Sequence, residues 1–140
     1  MVNCVRWFGN GLNVVAQAGC PAITGAQFLS PFPQLDAIDE LDPDYKPAYR
    51  KHVGNNPDDI GILNWGMNKT IHQMLAATGR DLSRQSFYKT VTSGRVFHSN
   101  VYPDVRYDAS IRFGARTAHL LEADCANRSW KTSGRFVADF

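Results

Sequence analysis

Asn10 and Asn13, set among Gly9, Gly11 and Leu12, are the residues near the start of the chain best suited to holding a small molecule. An Asn amide both donates and accepts hydrogen bonds, and glycines let backbone N–H groups come close to a bound molecule. The loop lacks the glycine spacing of a dinucleotide fingerprint and has no Gly-Lys-Ser or Gly-Lys-Thr for a phosphate loop, so it reads either as a solute contact or as a plain connection. The carboxylates Asp36, Asp39, Glu40, Asp42 and Asp44 crowd one connector. Their spacing does not match an EF-hand loop, and a solvated turn capping the helix that begins near Asp44 accounts for them. His52, His72, His98 and His119 form no His-x-x-x-His pair and no His-Glu-x-x-His helix, and surface or capping roles are expected of each. Ser30, Ser86 and Ser93 lack a Gly-x-Ser-x-Gly elbow, and the spacings of Cys4, Cys20 and Cys125 exclude a Cys-x-x-Cys motif. Asn68-Lys-Thr70 and Asn127-Arg-Ser129 match glycosylation sequons, a pattern short enough to arise by chance. No catalytic centre, no metal and no cofactor are expected; a small stand-alone enzyme has only the Gly9 to Asn13 loop in its favour.

The elements that must position these residues follow from periodicity. A short apolar strand holding Cys4 as a small buried hydrophobe, the glycine loop, a helix ended by Gly19 and a second strand leaving through Pro31 and Pro33 make one strand-helix-strand unit. In such sheets ligands gather beyond the carboxyl ends of the strands, which places Asn10, Gly11 and Asn13 where a site is expected. After the acidic connector from Gln34 to Pro43 comes a helix with Tyr45, Tyr49 and Val53 on one face. A long helical pattern then runs from about Pro57 to Ala77, with Ile60, Leu63, Met67, Ile71, Met74 and Leu75 spaced as one buried stripe. Gly79 stops it, and Ser83 caps a third helix that carries Phe87 and Val91 to its end near Gly94. From Val96 the pattern turns β-rich: Val105 to Asp108 and Thr117 to Asp124 look extended, and Ala126 to Ser129 can turn the chain back into Trp130 to Thr132 and Arg135 to Val137. The expected class is mixed α/β, with few strands for a self-contained sheet.

The chain has 140 residues, 44% hydrophobic and 11% aromatic, which is ordinary material for one domain with one core. A formal charge of +2 with scattered Lys and Arg gives no basic face for nucleic acid. No window is apolar for long enough to cross a bilayer, and Met1-Val2-Asn3 enters a strand without a charged and apolar leader.

Trp7-Phe-Gly-Asn-Gly, Gly19-Cys-Pro-Ala-Ile-Thr-Gly-Ala, the Pro31-Phe-Pro33 exit, the Asn64-Trp65 helix, Gly79-Arg-Asp-Leu-Ser-Arg-Gln-Ser-Phe87 and the Cys125 to Trp130 hairpin together resemble the C-terminal part of type I periplasmic solute-binding proteins. These are the substrate-binding subunits of ABC importers in the branched-chain amino acid group, a fold shared with receptor ligand-binding domains. The resemblance implies a partial type I fold: strand-helix-strand, three helices and a C-terminal β-hairpin. It assigns residues 1–30 and 114–140 to a second lobe and residues 31–113 to a first, with crossovers near Ser30 to Pro33 and Tyr107 to Phe113. It implies a C-terminal fragment, an extracytoplasmic setting with the export signal upstream of Met1, a small-molecule solute, and the membrane permease of an ABC importer as partner. A ligand-sensing regulatory domain of the same fold is the alternative, to be distinguished by a fused output domain in place of an export signal.

The resemblance also narrows the ligand. The family's amino-acid binders place an acidic residue in the loop after the first strand, where this chain offers Gly9, Asn10, Gly11, Leu12 and Asn13. Asn cannot neutralise an ammonium group in a closed cleft. An amide, a urea-like solute, or an aromatic or short organic acid therefore fits as well as an α-amino acid. The first lobe would approach the cleft with the start of the long helix, near Ile60 and Trp65, where the indole supplies a flat wall and one N–H, or else packs into the core. With strand edges and the apolar stripe uncovered in a fragment, a homo-oligomer is expected, through exchange of the C-terminal hairpin about Tyr107 to Gly114. Cys20 and Cys125 would both belong to the second lobe, and an exported protein can keep a disulfide. In an oxidised sample Cys20 and Cys125 are expected to be joined and Cys4 reduced; peptide mapping under non-reducing conditions checks this, and free thiols at both positions would refute it.

Overall fold

In the computed structural model of the protein, the described residues are 23–134 apart from Arg112 and Arg128. The expected first strand, the loop with Asn10, Gly11 and Asn13, the helix to Gly19, Cys4, Cys20 and the segment Arg135 to Val137 lie outside them. The chain is a mixed α/β arrangement. Strand β1 (Gln27–Ser30) leads to a short α1 (Ile38–Leu41), then α2 (Tyr45–His52), α3 (Asp59–Thr78) and α4 (Arg84–Val91), followed by β2 (Val96–Phe97), β3 (Val105–Arg106), β4 (His119–Asp124) and β5 (Ser129–Gly134). All pairings among these strands are antiparallel. β4 lies between β1 and β5 in a three-stranded sheet, while β2 and β3 form a separate pair.

The three helices expected after the acidic connector form at their expected places. Gly79 adopts φ 79° beyond α3, a conformation that costs a glycine little, and Ser83 Oγ accepts a hydrogen bond from Ser86 N at 3.2 Å to cap α4. Ala126 and Asn127 turn the β4–β5 hairpin, with the Asp124 carboxylate accepting from both of their backbone N–H groups. The Asn127 side chain, together with those hydrogen bonds, holds the Asp124 carboxyl below its usual range.

Three expectations fail, each for a tertiary reason. Ile60, Met67, Ile71 and Leu75 are not buried: they are 42–49% exposed. The buried line of α3 is instead Asp59, Ile62, Gly66, Thr70 and Met74, because small residues there let neighbouring elements press close. His119 is not at the surface. It is fully buried, with Nε2 3.0 Å from the Val101 carbonyl oxygen, because β4 alternates and puts His119, Leu121 and Ala123 on its inner face. The acidic connector is not uniformly solvated: Asp42 is 2% exposed, and the Asp44 side chain makes no cap hydrogen bond to α2.

Phe32, Ile38, Tyr45, Ile62 and Val101 form the core between α1, α2 and α3, with Leu35, Leu63, Trp65 and Tyr102 packed around it. The sheet is tied to this helical part through polar contacts as the chain leaves β1. Ser30 Oγ donates to Phe32 O at 2.7 Å and accepts from Phe32 N. Thr132 on β5 accepts from Gln34 N at 2.9 Å, and its hydroxyl and backbone N–H both donate to the Asp36 carboxylate. Below α3, the Gln73 amide pairs with the backbone of His98, donating to its carbonyl and accepting from its N–H at 3.0 Å.

Gly66 sets the distance between α3 and the segment after β2. A Cβ there would lie 2.5 Å from Tyr102 Cδ2 and 2.9 Å from Val101 Cβ, and Tyr102 is held by a 3.0 Å hydrogen bond from its hydroxyl to the Leu63 carbonyl. Gly66→Ala should therefore destabilise the fold by about 1–3 kcal/mol, as overpacking generally does. Thermal unfolding followed by circular dichroism should show a lower midpoint than the parent chain.

Candidate functional site

Between α2 and the first half of α3 lies a pocket of about 380 Å³, within the size range of small-molecule sites. Its walls are mainly apolar or aromatic: Tyr45, Ala48, Tyr49 and Val53 from α2 and the turn after it, and Ile60, Gly61 and Trp65 from α3. Asn64, Asn68, His52 and Asp58 supply the polar positions.

Asp58 organises this site. It precedes α3 in extended backbone, and its Oδ1 accepts from Gly61 N at 2.6 Å, which is the N-cap bond that starts the helix. Its Oδ2 accepts from the Tyr49 hydroxyl at 3.2 Å, and its backbone carbonyl accepts from the Tyr45 hydroxyl at 2.6 Å. One residue therefore fixes both tyrosines of α2 against the start of α3. Gly61 completes the fit: a Cβ would fall 2.6 Å from Tyr49 Cε2 and closer still to the Tyr45 hydroxyl.

The rings meet edge to face. Tyr45 lies 5.7 Å from Tyr49 and 6.1 Å from Trp65, both at an interplanar angle of 62°. Behind them, Asp42 accepts from Trp65 Nε1 at 3.1 Å and from Lys69 Nζ at 2.5 Å, and the Lys69 ammonium sits 5.9 Å from the indole centroid. The Trp65 N–H is thus already engaged; the ring serves both the core and the pocket wall. Asn64 and Asn68 turn their amide N–H groups back onto the carbonyls of Ile60 and Asn64 at 3.1 and 2.8 Å.

Burial pushes the Tyr45 hydroxyl up to about 12, against the lowering effect of its hydrogen bond to the Asp58 carbonyl. Burial also raises Tyr49, helped by the Asp58 charge, and it raises Asp59 despite the Ile60 N–H bond to that carboxylate. Both tyrosines therefore remain neutral donors at physiological pH. Among the described lining residues Asp58 is the one carboxylate, and it is committed to Gly61 and Tyr49. This arrangement suits holding an uncharged, partly apolar molecule; among the described residues no group of three or more His, Cys, Asp or Glu could hold a metal ion.

Ile60 and Trp65, the two α3 residues expected near a binding wall, both line this pocket, whereas Asn10, Gly11 and Asn13 lie outside the described residues. Tyr45, Tyr49, Asp58 and Gly61 were not singled out for the site by sequence. The signal was there in the pair of tyrosines four apart and in an Asp three residues before a glycine at a helix start. At the far hairpin Cys125 is disulfide-bonded, with the Thr24 hydroxyl 3.6 Å from its sulfur.

No protein-family model and no curated protein matches the sequence. The fold is similar to that in the crystal structure of a branched chain amino acid ABC transporter from Thermus thermophilus with bound valine, with a TM-score of 0.67 at 15% identity. The match covers 94% of this chain and 38% of that one. At this identity the likeness is one of fold: the chain shares the architecture of part of that protein. No helix among the described residues is long and apolar enough to cross a membrane.

Tyr45→Phe should remove the bond to the Asp58 carbonyl and cost about 1 kcal/mol of stability. Because a phenol raised to about 12 stabilises the fold fully below pH 10 and loses that effect as pH rises toward 12, the variant should also lose one late-titrating phenol. Spectrophotometric titration of phenolate absorbance alongside urea unfolding checks both outcomes.

Proposed function

We propose that this chain is part of an extracytoplasmic solute-binding protein serving an ABC importer, and that it acts by binding rather than by catalysis. The observation that carries this reading is the fold likeness across 94% of the chain to part of an ABC transporter protein that holds valine. The pairing of β1 with β4 supports the division into residues 1–30 and 114–140 in one lobe and 31–113 in the other, since it joins 27–30 to 119–122 across the whole helical segment. In this reading the solute lies between two lobes, and its binding favours the closed arrangement that the permease recognises.

The described wall favours a neutral ligand. An ammonium group buried against Tyr45, Tyr49, Ile60 and Trp65 would lack a free carboxylate, because Asp58 and Asp42 are both engaged. An amide, a urea-like solute or a small aromatic compound satisfies the ring faces and the Asn64 and Asn68 amides without that cost.

The 140-residue chain supplies only part of a complete cleft in this reading, so calorimetry should show no submicromolar binding of any amino acid. In backbone-amide NMR, small amides or aromatic solutes at millimolar concentration should shift the signals of Tyr49, Gly61 and Asn64. Ala48→Leu, which fills the pocket, should suppress those shifts. Unperturbed signals at all three residues with every solute would remove this pocket from the function.

A further inference from the structure

The hydrogen-bond donors in the wall of the α2–α3 pocket are spent on the protein itself. Tyr45 gives its hydroxyl hydrogen to the Asp58 carbonyl at 2.6 Å, Tyr49 gives its own to Asp58 Oδ2 at 3.2 Å, and the Trp65 indole N–H goes to Asp42 at 3.1 Å. A phenol and an indole each carry one such hydrogen, so these three groups have none left for a bound molecule. The Gly61 N–H is taken as well, by Asp58 Oδ1 at 2.6 Å.

The two amides of the site follow the same pattern. Asn64 and Asn68 lie about one turn apart on α3, and both line the pocket. Each sends its amide nitrogen back to a helix carbonyl, that of Ile60 at 3.1 Å and that of Asn64 at 2.8 Å. Only the NH2 end of an amide can donate to a carbonyl oxygen, so Oδ1 is the end of each side chain left for other partners. Each Oδ1 accepts twice, whereas each amide nitrogen has one hydrogen remaining, and the Tyr49 oxygen, its hydrogen spent, adds a further acceptor. Apart from those amide hydrogens and the ring of the exposed His52, the polar atoms offered to a ligand are oxygens, and the Asp58 charge beside them repels carbonyl oxygens and carboxylates.

We infer that this pocket selects for hydrogen-bond donors. Its ligand is a flat, uncharged molecule whose polar edge carries N–H or O–H groups, such as a primary arylamide or a phenol. A molecule of the same shape with acceptor oxygens alone, such as an aryl ester, is disfavoured, because it would set oxygen against Asn64 Oδ1, Asn68 Oδ1 and Asp58 and displace water without gaining a hydrogen bond. The ring faces of Tyr49 and Trp65 touch only the apolar body of either molecule and do not distinguish the two. The inference rests on the pocket being a solute site, as proposed above, and adds which polarity of solute the site reads.

Benzamide and methyl benzoate test it, since they share a ring and a carbonyl and differ in NH2 against OCH3. The 140-residue chain is titrated with each at neutral pH and millimolar concentration, and the backbone-amide NMR signals of Tyr49 and Gly61 are followed. Benzamide should bind about threefold to tenfold more tightly, the size of one net hydrogen bond, although the ester is the more apolar and burial alone would favour it. Asn64→Leu combined with Asn68→Leu, both at exposed positions, should keep the circular dichroism spectrum and reverse the order. An ester that binds the parent chain as tightly as the amide, or a double variant that keeps the parent's preference, would overturn the donor selectivity while leaving the pocket a solute site. Unmoved signals at both residues with both probes would overturn it together with the reading on which it rests.

Discussion

The helical part of this protein depends on one buried carboxylate. Asp42 closes α1 through its backbone N–H to the Ile38 carbonyl at 2.7 Å, and its own carbonyl accepts from Tyr45 N at the start of α2. Its side chain crosses to α3 and takes both Trp65 Nε1 and Lys69 Nζ. A carboxylate 2% exposed has to find such partners, and removing one from a buried pair typically costs about 3–5 kcal/mol, less here because Lys69 is itself a third exposed. The nearby Lys46 to Asp39 pair stands with its carboxylate 65% exposed and contributes about 0–1 kcal/mol. Of the five acids in the connector, Asp42 is therefore the one that fixes the relative placement of three helices and the plane of the Trp65 ring.

The pocket follows from that placement together with two glycines. Gly61 lets the tyrosines of α2 rest on the first turn of α3, and Gly66 lets Val101 and Tyr102 rest on its next turns. With α3 gripped on these sides, Ile62, Thr70 and Met74 turn inward while Ile60, Met67, Ile71 and Leu75 turn outward. The same rotation gives the protein both its aromatic recess and its bare apolar stripe. A helix anchored through small residues has its longer aliphatic side chains left over for other surfaces.

Short polar links join the sheet to the helical part. Asp36 and Gln34 meet Thr132, and Ser30 caps the turn at Phe32. Two chain passages connect the β1–β4 pair with the helical segment between them.

Local chemistry made much of this chain legible from its sequence. The positions of α2, α3 and α4, the Ser83 cap, the stop at Gly79 and the β4–β5 hairpin rest on interactions between residues a few positions apart, and these a sequence displays directly. Ile60 and Trp65 were named through the family resemblance rather than from the residues themselves, and the fold sets both beside the pocket. What tertiary structure decided was orientation. Periodicity says that α3 has an apolar arc but not which part of it faces inward, and the close approach allowed by Gly61 and Gly66 settled that against the longer side chains. Composition marks Asp42 as one acid among five, and only its position opposite Trp65 and Lys69 makes it a buried anchor. His119 likewise went inside because its neighbours on β4 did, since strand alternation commits a whole face at once. Contacts between residues close in sequence were fixed by the chain itself; burial, which depends on what approaches from far along it, was fixed only by the fold.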